Sequence, residues 1–190
     1  MEKYWRYFIA LFMLICVQSA GASSSLEPPA RQEALHRHIK EAMPLSVCES
    51  NSTANNNFAL PKPYSVPCTT GGFRNMFYWD TYFTNAGLLL DGDMEQALNN
   101  IENIAYMIDS IGYMPNATSK DLLNRSQPPL FCQMVKDYYD ATGDREFLAR
   151  MIPILEKEYN FWMTRRVAHN GLNRYGHDAT RQELIDFCNG

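Results

Sequence analysis

Apolar residues recur at helical spacing along most of the chain, and polar loops separate the runs. The clearest stripe predicts a helix that Asp93 caps and Gly112 ends, because residues three or four apart share one helix face. The apolar face of this predicted helix consists of Met94, Ala97, Leu98, Ile101, Ile104, Ala105 and Ile108.

Similar spacing predicts four further helices, over residues 28–43, 79–92, 128–143 and 145–166. Paired prolines suit the first turn of two of them, and glycines suit the ends of others. No strand pattern appears, and the proline-rich stretch from Pro44 to Thr70 predicts an extended, wrapping loop. The fold class expected is therefore all-α, with consecutive antiparallel hairpins whose short turns lie at one end and whose long polar loops lie at the other.

The N-terminus has the pattern of a secretory signal. Lys3 and Arg6 precede an apolar run from Phe8 to Val17. That run is shorter than the roughly twenty residues that cross a bilayer. Small residues at 20–22 offer a cleavage site, so residues 1–22 are predicted to be a signal peptide, with a short membrane anchor as the alternative. We expect a secreted or periplasmic protein with no stable membrane span after cleavage.

Net charge and the spacing of cysteines and histidines limit the classes of partner, disulfide and metal site that the chain can have. The net charge of −4 argues against nucleic acid as a partner. Export permits disulfides. Cys48 and Cys68 flank one polar loop and form the pair most readily bridged, with four reduced thiols as the alternative. The spacing of histidines and cysteines indicates no metal site and no cofactor.

Three loop segments mix charged, aromatic and amide side chains. They are residues 71–80 (GGFRNMFYWD), Asn116 with 125–129 (RSQPP), and 173–175 (NRY) with 181–183 (RQE). Sugar sites need this mix, because an aromatic face stacks on a pyranose ring while amides and charged groups bond its hydroxyls. Structural roles, such as Trp79 in the core or Asp80 at a helix start, explain each piece equally well from spacing alone.

Four ordered motifs resemble those of the trehalase family of glycoside hydrolases. The stretch GGFRNMFYWDTYF at 71–83 is similar to the family's PGGRFxExYYWDSY, and MPN at 114–116 precedes RSQPP at the family's spacing. EYNFWM at 158–163 resembles the EYxxWM helix, and LNRY with RQE resembles LNRY with RxES. The resemblance covers roughly residues 71–183.

By this resemblance the fold is an (α/α)6 barrel and the reaction is inverting hydrolysis of α,α-trehalose, a small sugar substrate. Residues 71–190 would supply part of the barrel, after an N-terminal helix and wrapping loop at 23–70. Trp79 would stack on a ring, Asp80 and Asn116 would contact hydroxyls, and Arg125 and Arg181 would act as cationic clamps. The substrate-binding residues implied are Arg74, Trp79, Asp80, Asn116, Arg125, Ser126, Gln127, Arg181, Gln182 and Glu183.

Departures from the family pattern keep other functions open. The order Phe73-Arg74 inverts the usual Arg-Phe, and Asn75, Ala117 and Leu184 replace the usual Glu, Gly and Ser. A related barrel glucosidase acting on another α-glucoside, or a non-catalytic sugar-binding module, are the alternatives.

Inverting hydrolysis needs two carboxyl groups about 6.5–9.5 Å apart. The resemblance places both downstream of the Arg-x-Glu motif, so we assign no catalytic residue to this chain. We expect the chain alone to be weakly stable, prone to aggregation and inactive.

Overall fold

The computed structural model describes residues 28–53 and 56–189. The predicted signal peptide lies outside the described residues. The helices are α1 (Pro28–Ala42), α2 (Tyr78–Asp91), α3 (Met94–Ile111), α4 (Phe131–Thr142), α5 (Arg145–Arg165) and α6 (Arg181–Asn189). Two 3₁₀ turns, Met43–Ser46 and Lys120–Leu122, and two strands, β1 (Val47–Cys48) and β2 (Tyr64–Ser65), complete the described elements.

Contacts divide the chain into two units between residues 40 and 41, and the structure describes residues 28–40 of the first unit. Most of α1 belongs to the first unit, where Glu33 and Arg37 form an exposed ion pair one turn apart at 3.6 Å. The second unit holds all the other elements. The predicted domain boundary between residues 70 and 71 stays a prediction.

Helices α2 to α5 form two antiparallel hairpins that pack on one another. Helix α2 contacts α3 and α4, α3 also contacts α4 and α5, and α4 contacts α5. The predicted face of α3 is confirmed, since Ala97, Ile101, Ile104, Ala105 and Ile108 are all buried. This shared apolar interior is the main source of stability for the helices.

The two hairpin turns use the same Gly-Asp pair. Gly92 and Gly143 both have positive φ, 82° and 68°, a backbone conformation that glycine adopts without steric cost. Each following aspartate caps the next helix: Asp93 Oδ1 accepts from the Gln96 amide at 3.1 Å, and Asp144 Oδ1 accepts from the Phe147 amide at 2.9 Å. These short turns were predicted from the sequence, and the structure confirms them.

The wrapping segment is held on α3 by buried amides. Asn100 Oδ1 accepts from the Ser65 amide at 2.9 Å, and Asn100 Nδ2 donates to Ser65 Oγ at 2.9 Å and to Asn85 Oδ1 at 2.8 Å. Asn103 exchanges two hydrogen bonds with the backbone of Lys62 at 3.1 and 3.0 Å. This set of contacts, here called the amide network, ties the strand β2 to α3.

The structure differs from the expectations at four points. Helix α4 begins at Phe131 rather than Pro128, because a residue that precedes proline is disfavoured in the α conformation and Pro128 precedes Pro129. The antiparallel pair β1 and β2 was not predicted, nor was helix α6. The cysteines at 48, 68, 132 and 188 carry free thiols, so the Cys48–Cys68 bridge is not formed and the alternative of four reduced thiols holds, although Cys132 and Cys188 are exposed rather than buried. Within the described part of the chain, no helix is long and apolar enough to span a membrane.

Candidate functional site

Backbone hydrogen bonds join the first two predicted loop segments. The Tyr78 amide donates to the Asn116 carbonyl at 3.1 Å, and the Asn116 amide donates to the Arg125 carbonyl at 2.9 Å. The Thr118 amide also bonds the Met76 carbonyl at 2.9 Å. The start of α2, Asn116 and the Arg125 segment therefore lie side by side.

The third segment continues the same arrangement. The Ser126 amide donates to the Gly176 carbonyl at 3.2 Å, and the Asp178 amide donates to the Asn124 carbonyl at 2.8 Å. These loops lie at the helix ends opposite the Gly-Asp turns, as the sequence predicted. We call residues 77–80, 116, 124–127 and 176–183 the rim.

Gln127 connects Trp79 with Asp80. Gln127 Oε1 accepts from the Trp79 amide at 2.9 Å. Burial raises the pKa of Asp80, while hydrogen bonds from its own amide and from the Trp79 and Gln127 side chains act in the opposite direction. The Trp79 indole is 41% exposed, so its ring stays available to a ligand. The arrangement presents an aromatic ring, a carboxylate and an amide at one place.

The Arg125 side chain packs on Phe187 of the last helix. Its guanidinium carbon lies 4.1 Å from the centroid of the Phe187 ring, and its Nε donates to Asn124 Oδ1 at 3.1 Å. The Asn124 side chain also bonds Glu183. Arg125 is thus oriented by aromatic stacking and by an adjacent amide.

Arg181, Gln182 and Glu183 form the first turn of α6 rather than a loop. Glu183 accepts from the Thr180 amide at 2.6 Å while Thr180 Oγ1 accepts from the Glu183 amide at 3.2 Å, which is a capping box. These bonds with Thr180 lower the pKa of Glu183. Gln182 donates to Asp186 on the same helix at 2.8 Å. The Thr-x-x-Glu spacing was the signal that could have predicted this helix.

Arg74 points toward the N-terminal segment. Its Nη1 donates to the carbonyls of Leu45 and Cys68, both at 3.2 Å. Arg74 thus connects two stretches of the wrapping segment, residues 44–70. The other nine predicted site residues belong to the rim.

Two buried ionisable groups were not among the predicted site residues. Arg166, 3% exposed, donates from Nε to Ser126 Oγ at 2.7 Å and from Nη1 to Asp178 Oδ1 at 3.1 Å. Glu158 accepts from the Tyr78 hydroxyl at 2.6 Å, and burial raises the pKa of Glu158 to about 7. A helix-end arginine is usually solvated, so the sequence carried no sign that Arg166 would be buried.

Two cavities lie beside the rim. One of about 290 Å³ is lined by Pro129, Trp162, Asn173, Arg174 and Tyr175. The other, of about 420 Å³, also contacts Pro129 and Trp162 and extends along α5 to Ile152. None of the ten predicted residues lines either cavity, so the predicted site is an open surface next to these depressions.

The fold and the rim define the class of the protein as an all-α protein of antiparallel helical hairpins whose long loops present aromatic, amide and guanidinium groups together. The sequence matches the family model described as Trehalase over residues 17–184. The chain therefore belongs to the trehalase family.

Individual relatives agree with this assignment. The periplasmic trehalase of Xanthomonas campestris pv. campestris (strain 8004) is 41% identical over 132 residues, which cover 68% of this chain and 23% of that protein. The periplasmic trehalase of Pseudomonas aeruginosa is 39% identical over 145 residues, covering 74% and 26%. The names of these relatives support the predicted secreted or periplasmic location.

The structure is similar to the neutral trehalase Nth1 from Saccharomyces cerevisiae. The TM-score is 0.56 at 28% identity, over 64% of this chain and 24% of the yeast chain. The hairpins are thus part of an (α/α)6 barrel, as expected. The chain spans about a quarter of the length of these relatives.

Proposed function

We propose that this chain supplies part of the substrate-binding cleft of a trehalase-type hydrolase, which converts α,α-trehalose to glucose with inversion. The observation that carries the proposal is the hydrogen-bonded rim, in which Trp79, Asp80 and Gln127 form one connected group. Asn116 lies beside this group because its carbonyl accepts from the Tyr78 amide at 3.1 Å, and the Asn116 amide in turn donates to the Arg125 carbonyl at 2.9 Å. The same residue types occur in the matching motifs of the family.

The proposed roles follow from the chemistry of each group. Trp79 stacks on the apolar face of a glucose ring, while Asp80 and Asn116 bond ring hydroxyls. Arg125 and Arg181 supply positive charge, which favours the ionised form of a nearby carboxyl group. Gln127 fixes Trp79 and Asp80 relative to each other.

Two roles rest on the family motifs more than on the contacts. The side chains of Arg74 and Glu183 are both hydrogen-bonded within the chain. Arg74 donates to backbone carbonyls, and Glu183 accepts from an amide in its capping box. Their part in binding requires that these side chains exchange those partners for a sugar.

The reaction itself needs an acid and a base. We assign these roles to two carboxylates at family positions that follow the Arg-x-Glu motif, and to none of the residues described. The expected result for this chain in a glucose-release assay with trehalose is therefore no turnover, and turnover would contradict this assignment.

The test of the cleft is sugar binding, measured by saturation-transfer NMR with α,α-trehalose. The wild-type chain should bind trehalose, and Trp79→Ala should weaken binding about fivefold to tenfold, because a stacked aromatic ring is worth about 1 to 1.4 kcal/mol. Tyr106→Ala is the matched control, since Tyr106 is an aromatic residue of similar exposure, 43%, on α3. Absence of binding by the wild type, or equal losses in both variants, would contradict the proposal.

The same measurement decides the specificity. Maltose is an α-glucoside competitor and cellobiose a β-glucoside control. A chain that prefers maltose to trehalose would favour a related barrel glucosidase over a trehalase.

A further inference from the structure

Arg166 follows the last residue of α5 and has its side chain between two rim segments. Nε donates to Ser126 Oγ at 2.7 Å, and Nη1 donates to both carboxylate oxygens of Asp178 at 3.1 and 3.2 Å. Its carbonyl accepts from the Arg174 amide at 2.8 Å. One residue therefore links α5 with the Ser126 segment and with the loop that leads to α6.

The Arg166 guanidinium group also packs over an aromatic ring. Its carbon lies 4.8 Å from the centroid of the Phe161 ring, and that ring stacks on Tyr113 at 4.4 Å. A planar group packed on a stacked aromatic pair has little rotational freedom. Phe161 of α5 thus helps to fix the direction in which Nε points.

Stability alone does not account for this residue. Nη2 of Arg166 is buried and has no hydrogen-bond partner among the described residues. A buried charge with an unpaired donor carries a desolvation cost that an ion pair only partly offsets. The neighbouring Arg165 contacts the same Asp178 at 3.3 Å, and the Arg165 side chain is 63% exposed. The Asp178 carboxylate therefore already has an ion-pair partner whose desolvation costs little free energy.

The bond to Ser126 restricts what the hydroxyl can do. A serine hydroxyl has one donor hydrogen and two acceptor lone pairs. Because Arg166 has no acceptor, the bond at 2.7 Å occupies a lone pair of Oγ and directs the O–H away from the guanidinium. Ser126 is thereby presented as a donor toward other groups at the rim.

We propose that Arg166 is a positioning residue that sets the place of the Ser126 segment and makes Ser126 a hydrogen-bond donor to an oxygen of the bound glucoside. The inference rests on the proposed function for its ligand, whereas the positioning of Ser126 is testable without any sugar.

The first arm of the test measures amide hydrogen exchange by NMR. In Arg166→Met the amides of Ser126 and Asp178, which bond Gly176 and Asn124, should exchange at least about tenfold faster, as expected for the loss of hydrogen bonds to a charged group. The Thr118 amide, which bonds Met76, should not change.

Two further variants separate positioning from charge. Arg165→Met is the matched control and should leave these amides unaffected. Arg166→Lys keeps a positive charge near Asp178 but lacks the fork that reaches both Asp178 and Ser126, so it should fold and still accelerate the Ser126 amide. Unchanged exchange at Ser126 in both Arg166 variants would overturn the proposal.

The second arm measures trehalose affinity. Arg166→Lys and Ser126→Ala should each weaken binding roughly tenfold, and the double variant should be no weaker than either single variant because both changes remove one interaction. Additive losses would overturn the donor role of Ser126. If the wild-type chain binds no trehalose, the proposed function fails, while the exchange arm still decides whether Arg166 positions the segment.

Discussion

The amide network and the rim are built from similar side chains and differ in burial. In the network Ser65, Asn85 and Asn100 are at most 2% exposed and bond one another or the backbone. At the rim Asn116, Arg125 and Gln127 are partly exposed and keep part of their hydrogen-bonding capacity for solvent or ligand. Polar groups therefore fix the fold where they are enclosed and remain free to recognise a ligand where they are open.

The two helix hairpins and the last helix also differ in burial. Helices α2 to α5 bury one another, whereas α6 leaves Ile185 and Phe187 exposed, at 42% and 52%. Changes in the network should thus unfold the second unit as a whole, while changes at the rim should act locally.

The largest effect is expected in the network. Asn100→Ala leaves the Ser65 amide and the Asn85 carbonyl oxygen buried without a partner, so the free energy of unfolding should fall by about 4 kcal/mol. Asn99→Ala, one residue away on α3 and outside the network, should change it by less than about 0.5 kcal/mol. Urea unfolding followed by circular dichroism measures both, and equal effects would mean that the network does not stabilise the fold.

The next effect concerns Glu158 and pH. Burial raises the pKa of Glu158 from 4.5 to about 7, so the folded state holds a proton that the unfolded state releases. Stability from this group is complete below about pH 4.5 and is lost as pH rises through 7, with a total change of about 3 kcal/mol.

The variant Glu158→Gln should flatten this dependence, because the amide oxygen still accepts from Tyr78 and carries no charge. Glu156→Gln, an exposed neighbour on the same helix, should retain the wild-type profile. Unfolding free energies at pH 5 and pH 8 decide the matter, and a profile in Glu158→Gln that matches the wild type would show that another group titrates.

A smaller and local effect is expected at α6. Thr180→Ala removes one half of the capping box, which is worth about 1 kcal/mol. The Leu184 amide, which bonds the Thr180 carbonyl at 3.1 Å, should exchange about fivefold faster, while global unfolding stays within about 0.5 kcal/mol of the wild type. A loss of global stability comparable with that of Asn100→Ala would contradict the distinction between the two regions.

The sequence predicted the features that depend on neighbouring residues. The Gly-Asp turns and the stripe of α3 follow from spacing, and the structure confirms them. The trehalase motifs likewise led to the family that the comparisons establish. Helix α6 was not predicted but could have been, because Thr180 and Glu183 have the spacing of a capping box.

The sequence did not predict the features that depend on residues distant along the chain. Asn100 is polar on a buried helix face, and its partner Ser65 lies 35 residues away in the short strand β2, within a stretch of sequence that has no periodicity. Arg166 ends a helix, where a charged residue is ordinarily solvated, and only the return of the chain at Asp178 encloses it. Burial of polar groups is decided by tertiary packing, which spacing along the chain does not encode.

We propose that the rim, and not the amide network, recognises a glucoside. Titration of the 15N-labelled chain with α,α-trehalose, followed by amide chemical shifts, distinguishes the two regions. We expect shifts concentrated at Trp79, Asn116, Arg125, Ser126 and Gln127, with the amides of Ser65 and Asn103 unchanged. Shifts spread evenly over both regions, or confined to the cavity beside Trp162 and Ile152, would contradict the proposal.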